Sequence, residues 1–187
     1  MVRDCAAVKS LSWIPNGSDT WRSAWAFSAQ VHSAQKMPGS DVPYLQHLGM
    51  VMIEISAAHL VHPLDNLDLA VQCAMLHDTI EDQGVTHGEL LDRFGNGVAD
   101  GVLALSKDPA LPKAAAMTDS LTRIQKQPGE VWCVKLADRI SNIQNTPAHW
   151  TPQKISKYRA EAEQILASLG TAHPHLGRRL KDLISVF

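Results

Sequence analysis

The sequence predicts an all-α protein, and three observations carry that expectation. Apolar residues recur at helical spacing in segment after segment, as in helices that bury one face. Turn and breaker residues punctuate the segments: Pro15-Asn16-Gly17, Lys107-Asp108-Pro109 and Pro128-Gly129. The one run that reads as a buried strand by residue type, Val131 to Leu136, has no convincing second strand to pair with. It is therefore assigned to a helix.

Residues 1–17 have no strong period beyond a short helix over 5–11. Ser18 or Asp19 can cap a helix running to about residue 35. Trp21, Trp25, Ser28 and His32 form one stripe of it, beside Ala24, Phe27 and Val31, and a Trp-rich stripe at this spacing reads as core. Residues 36–41 form a loop by composition. Pro43 and Tyr44 open the next helix, whose apolar face is Val51, Ile55 and Ala58, with His59 and His62 as surface or capping residues near its end.

Pro63 and Asp65-Asn66 start a helix expected to run through Asp82 and to stop at Gln83-Gly84. Thr86-His87-Gly88-Glu89 is a capping box, so a short helix follows to Phe94 and Gly95 closes it. Further helices are expected over 96–105, 112–127 and 131–142. Thr151 caps a long one through Leu169 that carries Ile155, Tyr158, Ala162 and Ile165. His173-Pro174 leads into a terminal helix whose Arg178, Arg179 and Lys181 read as a solvated basic face. This gives about eight to ten helices in a single domain over 19–187, preceded by an N-terminal segment, 1–18.

A chain of 187 residues is long enough for one domain with a substantial core. Its 45% apolar content, 19% charged content and net charge of −2 give no reason to expect nucleic-acid or membrane binding. Cys5, Cys73 and Cys133 are odd in number and form no CxxC pair. That fits a reducing compartment and argues against a disulfide framework or thiolate zinc site. With no signal-peptide pattern and no apolar run of membrane length, the expected location is cytoplasmic. Oligomeric state is left open.

The chemistry concentrates in Leu76-His77-Asp78-Thr79-Ile80-Glu81-Asp82. One histidine and three carboxylates follow the apolar run Leu69 to Met75. Buried charges are paired or bound to metal, so this string demands a partner. Adjacent imidazole and carboxylate suit a borderline cation such as Mn, Fe or Zn. If the helix continues through Asp82, His77 lies over Glu81 and Asp78 over Asp82. Glu81 and Asp82 could then handle protons for a metal-bound water. A second stretch, Lys135 to Asn142, leads an apolar run into Asp138, with Asn142 on the same face. A plain Asp138–Arg139 salt bridge is the bland alternative there.

Three segments in this order resemble the HD-domain metal-dependent phosphohydrolases, and more narrowly the hydrolase domain of RelA/SpoT-type enzymes and small alarmone hydrolases. Pro43-Tyr44-Leu45-Gln46-His47 is similar to PYxxH, residues 76–82 match LHDTVED with one conservative change, and residues 135–142 match KLADRxxN. The likeness runs from about Trp25 to Leu169. It implies an HD-type helical bundle and one divalent metal, most often Mn²⁺, held by His47, His77, Asp78 and Asp138. It implies Glu81 and Asp82 as the catalytic pair. The substrate would be a small nucleotide, guanosine tetra- or pentaphosphate, losing its 3′-pyrophosphate. Substrate contacts carried over are Lys36, Tyr44, Lys135, Arg139, Asn142, Asn145, Lys154 and Tyr158.

The chain departs from the family pattern at three places. Leu48 stands where Pro usually follows the first histidine. Gln35-Lys36-Met37-Pro38-Gly39 replaces a stretch with a basic pair that helps hold guanine, so no arginine is available to stack on a purine. Asn145 stands where a hydroxyl residue is usual. The metal site is thus expected intact and the base site altered, which leaves a second substrate class: a dNTP, a nucleoside monophosphate or a 2′/3′-phosphorylated cofactor. A non-catalytic nucleotide-binding module would show a lost ligand or a lost Glu81 or Asp82, and neither is lost.

Overall fold

A computed structural model of the chain describes residues 17–144, 146 and 150–187. The helix expected over 5–11 lies outside the described residues. The described residues form ten helices: α1 Gly17–Val31, α2 Leu45–Val61, α3 Leu67–Leu76, α4 Thr79–Gln83, α5 His87–Phe94, α6 Asn96–Leu105, α7 Lys113–Ile124, α8 Gly129–Gln144, α9 Pro152–Leu169 and α10 Pro174–Val186. Among them the only β-type pairing is an isolated bridge between Lys36 and Pro43. None of these helices is long and apolar enough to cross a membrane.

Two helices form the centre. α3 packs against α1, α2, α6 and α8, while α8 packs against α2, α3, α6, α9 and α10. Their composition explains this. Ala70, Val71, Cys73, Ala74, Met75 and Leu76 of α3 are all buried. A helix apolar nearly all round must be covered on every side. In α8, Val131, Val134, Leu136 and Ile140 are fully buried, each contributing about 1.5–3 kcal/mol relative to exposure. The strand-like run is therefore helical, and it is buried because neighbours surround it.

α6 approaches α3 and α8 closely at Gly101. A Cβ there would stand 2.9 Å from Cys73 Sγ and 3.0 Å from Val131 Cγ2. Cys73 and Cys133 are free and buried, and burial pushes both thiols up to about 12. The expected capping box is present: Thr86 Oγ1 accepts from Glu89 N while Glu89 accepts from Thr86 N.

Two expectations need correcting here. The Trp stripe of α1 is core only in part: Ser28 and His32 are buried beside Ala24 and Phe27 and Trp21 packs half-buried against the core, but Trp25 is 37% exposed. Small Ala24 and Ser28 let α3 come close, and Ser28 Oγ donates to Met75 O at 2.5 Å. The bulky indole of Trp21 reaches over the seam instead, where Nε1 donates to Asp68 on α3. The basic end of the chain is also not wholly solvated. Arg179 forks onto the buried Glu54 of α2 with both contacts at 2.7 Å, docking α10.

Candidate metal centre

The segment expected as one helix through Asp82 is broken at His77 and Asp78. α3 ends at Leu76, and α4 restarts at Thr79. Side chains near the break take backbone carbonyls there: Thr79 Oγ1 donates to Leu76 O at 2.7 Å, and His77 Nδ1 lies 2.9 Å from Ala74 O. Such local bonds compete with helix continuation. Gly84, at φ 65°, ends α4. The break separates the functions by direction. His77 and Asp78 turn toward α2 and α8, while Glu81 and Asp82 reach other partners.

His47 comes from the first turn of α2, His77 and Asp78 from the break, and Asp138 from the middle of α8. His47 Nε2 lies 3.3 Å from His77 Nε2, 3.3 Å from Asp138 Oδ1 and 3.7 Å from Asp78 Oδ2. His77 Nε2 lies 2.9 Å from Asp78 Oδ2 and 3.9 Å from Asp138 Oδ1. The donor atoms of His47, His77 and Asp78 all lie within 4.8 Å of one another, so these residues could hold a metal ion. Around an ion with bonds of about 2.1 Å, neighbouring donors stand about 3.0 Å apart in octahedral and about 3.4 Å in tetrahedral geometry. The separations of 2.9 and 3.3 Å match such edges, while those of 3.7 and 3.9 Å are longer. Ala74 O can only accept, so His77 Nδ1 carries a proton; in the neutral ring Nε2 then faces the cluster with its lone pair.

The electrostatics are tight. Burial lowers the His77 pKa, but the charge and hydrogen bond of Asp78 outweigh it and raise the imidazole to about 9. Burial opposes ionisation of Asp78, yet His77 holds its carboxyl well below the usual range. Asp138 is likewise held low, against burial, chiefly by Lys135, whose Nζ lies 3.0 Å from Oδ2. Asn142 Nδ2 donates to Asp138 Oδ1 at 2.5 Å, as their shared face led one to expect. Tyr44 Oη donates to Asp78 Oδ2 at 2.5 Å; burial and the Asp78 charge push this phenol far up.

Glu81 and Asp82 stand on the open side. Glu81 accepts from Lys107 twice, from the backbone N–H at 2.9 Å and from Nζ at 3.0 Å. Asp82 Oδ2 accepts from Gln35 Nε2 at 2.7 Å. Gln35 Oε1 in turn lies 2.5 Å from both Gln83 Nε2 and His32 Nδ1. Burial and the Asp78 charge raise the Asp82 carboxyl. A cavity of about 410 Å³ adjoins Glu81, lined also by Lys107, Lys157 and Glu161.

The other expected contacts divide. Arg139 is buried: its guanidinium stacks 3.8 Å over the Tyr158 ring and reaches Glu161 at 3.3 Å, and its Nε has no partner among the described residues. The bland pairing of Asp138 with Arg139 is replaced by Lys135. Lys154 is exposed and lies 4.2 Å over the Trp150 ring, which meets Tyr158 edge-on. Lys36 is engaged by Asp41 at the loop closed by the Lys36–Pro43 bridge. Asn145 lies outside the described residues. Sequence reasoning missed Lys107 and Gln35 as partners of the acidic pair. Their contacts come from elements distant in sequence, and no local motif marks them.

A family model described as the HD domain matches residues 24–175. The chain belongs to the HD-domain family. It is 30% identical to the guanosine-3′,5′-bis(diphosphate) 3′-pyrophosphohydrolase MESH1 of Danio rerio over 84% of this chain and 88% of that protein. The protein of that name from Xenopus tropicalis is 31% identical over 76% of this chain and 80% of its own length. This HD domain is therefore a hydrolase. Its fold is similar to a solved structure described as a metazoan ortholog of SpoT that hydrolyzes ppGpp. The TM-score is 0.79, with 21% identity, over 92% of this chain and 97% of that one.

Proposed function

We propose that this chain removes the 3′-pyrophosphate of guanosine 3′,5′-bis(diphosphate), using one divalent cation, Mn²⁺, held by His47, His77, Asp78 and Asp138. The single observation that carries the reading is the convergence of these donors at metal-ligand spacing beside the Glu81–Asp82 pair. The similarity to hydrolases named for this substrate supports the choice of nucleotide.

When bound, the cation supplies a polarised water and a Lewis acid for phosphoryl oxygens. The residues do the rest. Tyr44 orients Asp78, the Ala74 carbonyl orients His77, and Lys135 and Asn142 orient Asp138, so the donors are held before substrate arrives. Glu81, fixed by Lys107, orients the attacking water. Asp82 has Oδ2 committed to Gln35, which leaves Oδ1 to take the water's proton. A bond forms between the water oxygen and the 3′ phosphorus, the bond from that phosphorus to the ribose 3′ oxygen breaks, and the 3′ oxygen leaves as a hydroxyl, gaining a proton from solvent while Asp82 gives up to solvent the one it took. The products are GDP and pyrophosphate. Lys154 and Lys157, the latter on the wall of the cavity beside Glu81, supply exposed positive charge for the phosphates. Location in the cytoplasm accords with the two buried free thiols.

A second reading has its own observation. Lys36 pairs with Asp41, Gln35 is held by Asp82, and the loop contains no arginine, so it presents no guanidinium to stack on guanine. Another nucleotide with a 2′ or 3′ phosphate then remains a candidate. Turnover of a nucleotide panel with Mn²⁺, read by chromatography, tests both. Selective conversion of guanosine tetraphosphate to GDP supports the proposal. Activity confined to another nucleotide keeps the hydrolytic centre and overturns the substrate.

A further inference from the structure

We propose that Lys107 is a positioning residue for Glu81, fixing that carboxylate through a peptide unit clamped from both ends. The inference rests on the reading that Glu81 orients the attacking water. Glu81 lies on α4, a five-residue helix. A helix so short is marginal by itself and needs outside contacts to define its side chains. For Glu81, one residue supplies them. Lys107 gives Glu81 Oε2 its backbone N–H and Oε1 its ammonium, at 2.9 and 3.0 Å. Both side chains are about a third exposed, at 39% and 31%. A pair this exposed adds little stability. Its consequence is geometric: contacts to both oxygens fix the plane of the carboxylate.

The N–H is itself anchored. The Lys107 N–H and the Ser106 C=O belong to one planar peptide unit. Arg123 Nη2 donates to that Ser106 O at 2.7 Å. Arg123 Nη1 also reaches Leu103 O and Ala104 O, at 2.5 and 3.2 Å, and Asp119 holds Nε at 2.8 Å. Ser120 Oγ donates to Ala104 O at 2.9 Å. These carbonyls are the ones that the end of α6 leaves without helical partners. The chain Asp119–Arg123–peptide 106–107–Glu81 thus runs from the α7 surface to the proposed water site.

The test uses the full chain with Mn²⁺ and guanosine tetraphosphate. Lys107→Met is expected to lower kcat about ten- to a hundredfold with KM unchanged within about twofold. Lys107→Arg is expected to restore most of that loss, and Mn²⁺ stoichiometry should not change in either variant. In a Glu81→Gln background, Lys107→Met should cause no further loss. A raised KM with unchanged kcat would make Lys107 a phosphate contact and overturn the proposal. So would an undiminished loss in the Glu81→Gln background. If Lys107→Met folds less well, the ratio of its kcat to that of Lys107→Arg still decides, since a structural role gives no such rescue at equal folded fraction. Full activity in Glu81→Gln alone would instead sink the underlying role of Glu81.

Discussion

The Nε2 atoms of His47 and His77 lie 3.3 Å apart, although the two residues belong to different elements thirty positions apart. At most one hydrogen sits between two such nitrogens in neutral rings, whereas a cation bonded to both satisfies both lone pairs. Replacing His47 with Ala should therefore abolish stoichiometric Mn²⁺ binding while leaving the helical signal intact. Metal analysis after dialysis checks this. Retention of one Mn²⁺ per chain would remove His47 from the set.

Tyr44 contacts Asp78 through one hydrogen bond, and Asp78 is one of the proposed ligands. Outer partners of this kind are worth about 10- to 100-fold in metal affinity. Tyr44→Phe is expected to weaken Mn²⁺ binding by about tenfold, measured by calorimetric titration. The ring still packs against His32 and His47, so the melting temperature should hardly move.

Protonation of the cluster sets a pH dependence. His77 has a pKa raised to about 9 without metal, above its ordinary value near 6.5. A group raised on folding contributes stability that is complete below the lower value and is lost as pH rises through the higher one. Stability of the EDTA-treated protein should thus fall between pH 6.5 and 9. Asp78 and Asp138 are held low, so their contribution disappears at acid pH, as pH falls below the ordinary carboxylate range. Mn²⁺ must displace the His77 proton, so its affinity should rise from pH 6.5 to 9. Thermal melts and titrations across this range check both trends.

Close packing at Gly101 makes a test of the fold. A Cβ would meet Cys73 and Val131 inside ordinary contact distance, and both are fully buried. Gly101→Ala is expected to destabilise by about 1–3 kcal/mol. At about 2–4 °C per kcal/mol for a domain of this size, the melting temperature should drop by several degrees. An unchanged value would mean that α6 can shift away from α3 without cost.

What was legible in the sequence depended on how local its cause was. The capping box at Thr86 and the apolar faces of α2 and α9 follow from near neighbours, and the structure has them where expected. The helical state of 131–142 followed from the lack of any strand partner. The break at His77 was hidden, since periodicity cannot register side chains taking carbonyls from the backbone. The stripe of α1 was read as core from its helical spacing, which holds for Ser28 and His32 but not for Trp25. Ala24 and Ser28 decide the helix approach, and Trp25 is left near the surface. Lys107 and Gln35 were invisible as partners of Glu81 and Asp82, because those contacts span 26 and 47 positions.

The measurement that bears most directly on the central claim is pyrophosphate release from guanosine tetraphosphate by EDTA-stripped protein before and after one equivalent of Mn²⁺. The account predicts no release before addition, then GDP and pyrophosphate in equal amounts. Equal rates with and without metal, or orthophosphate as the product, would contradict it.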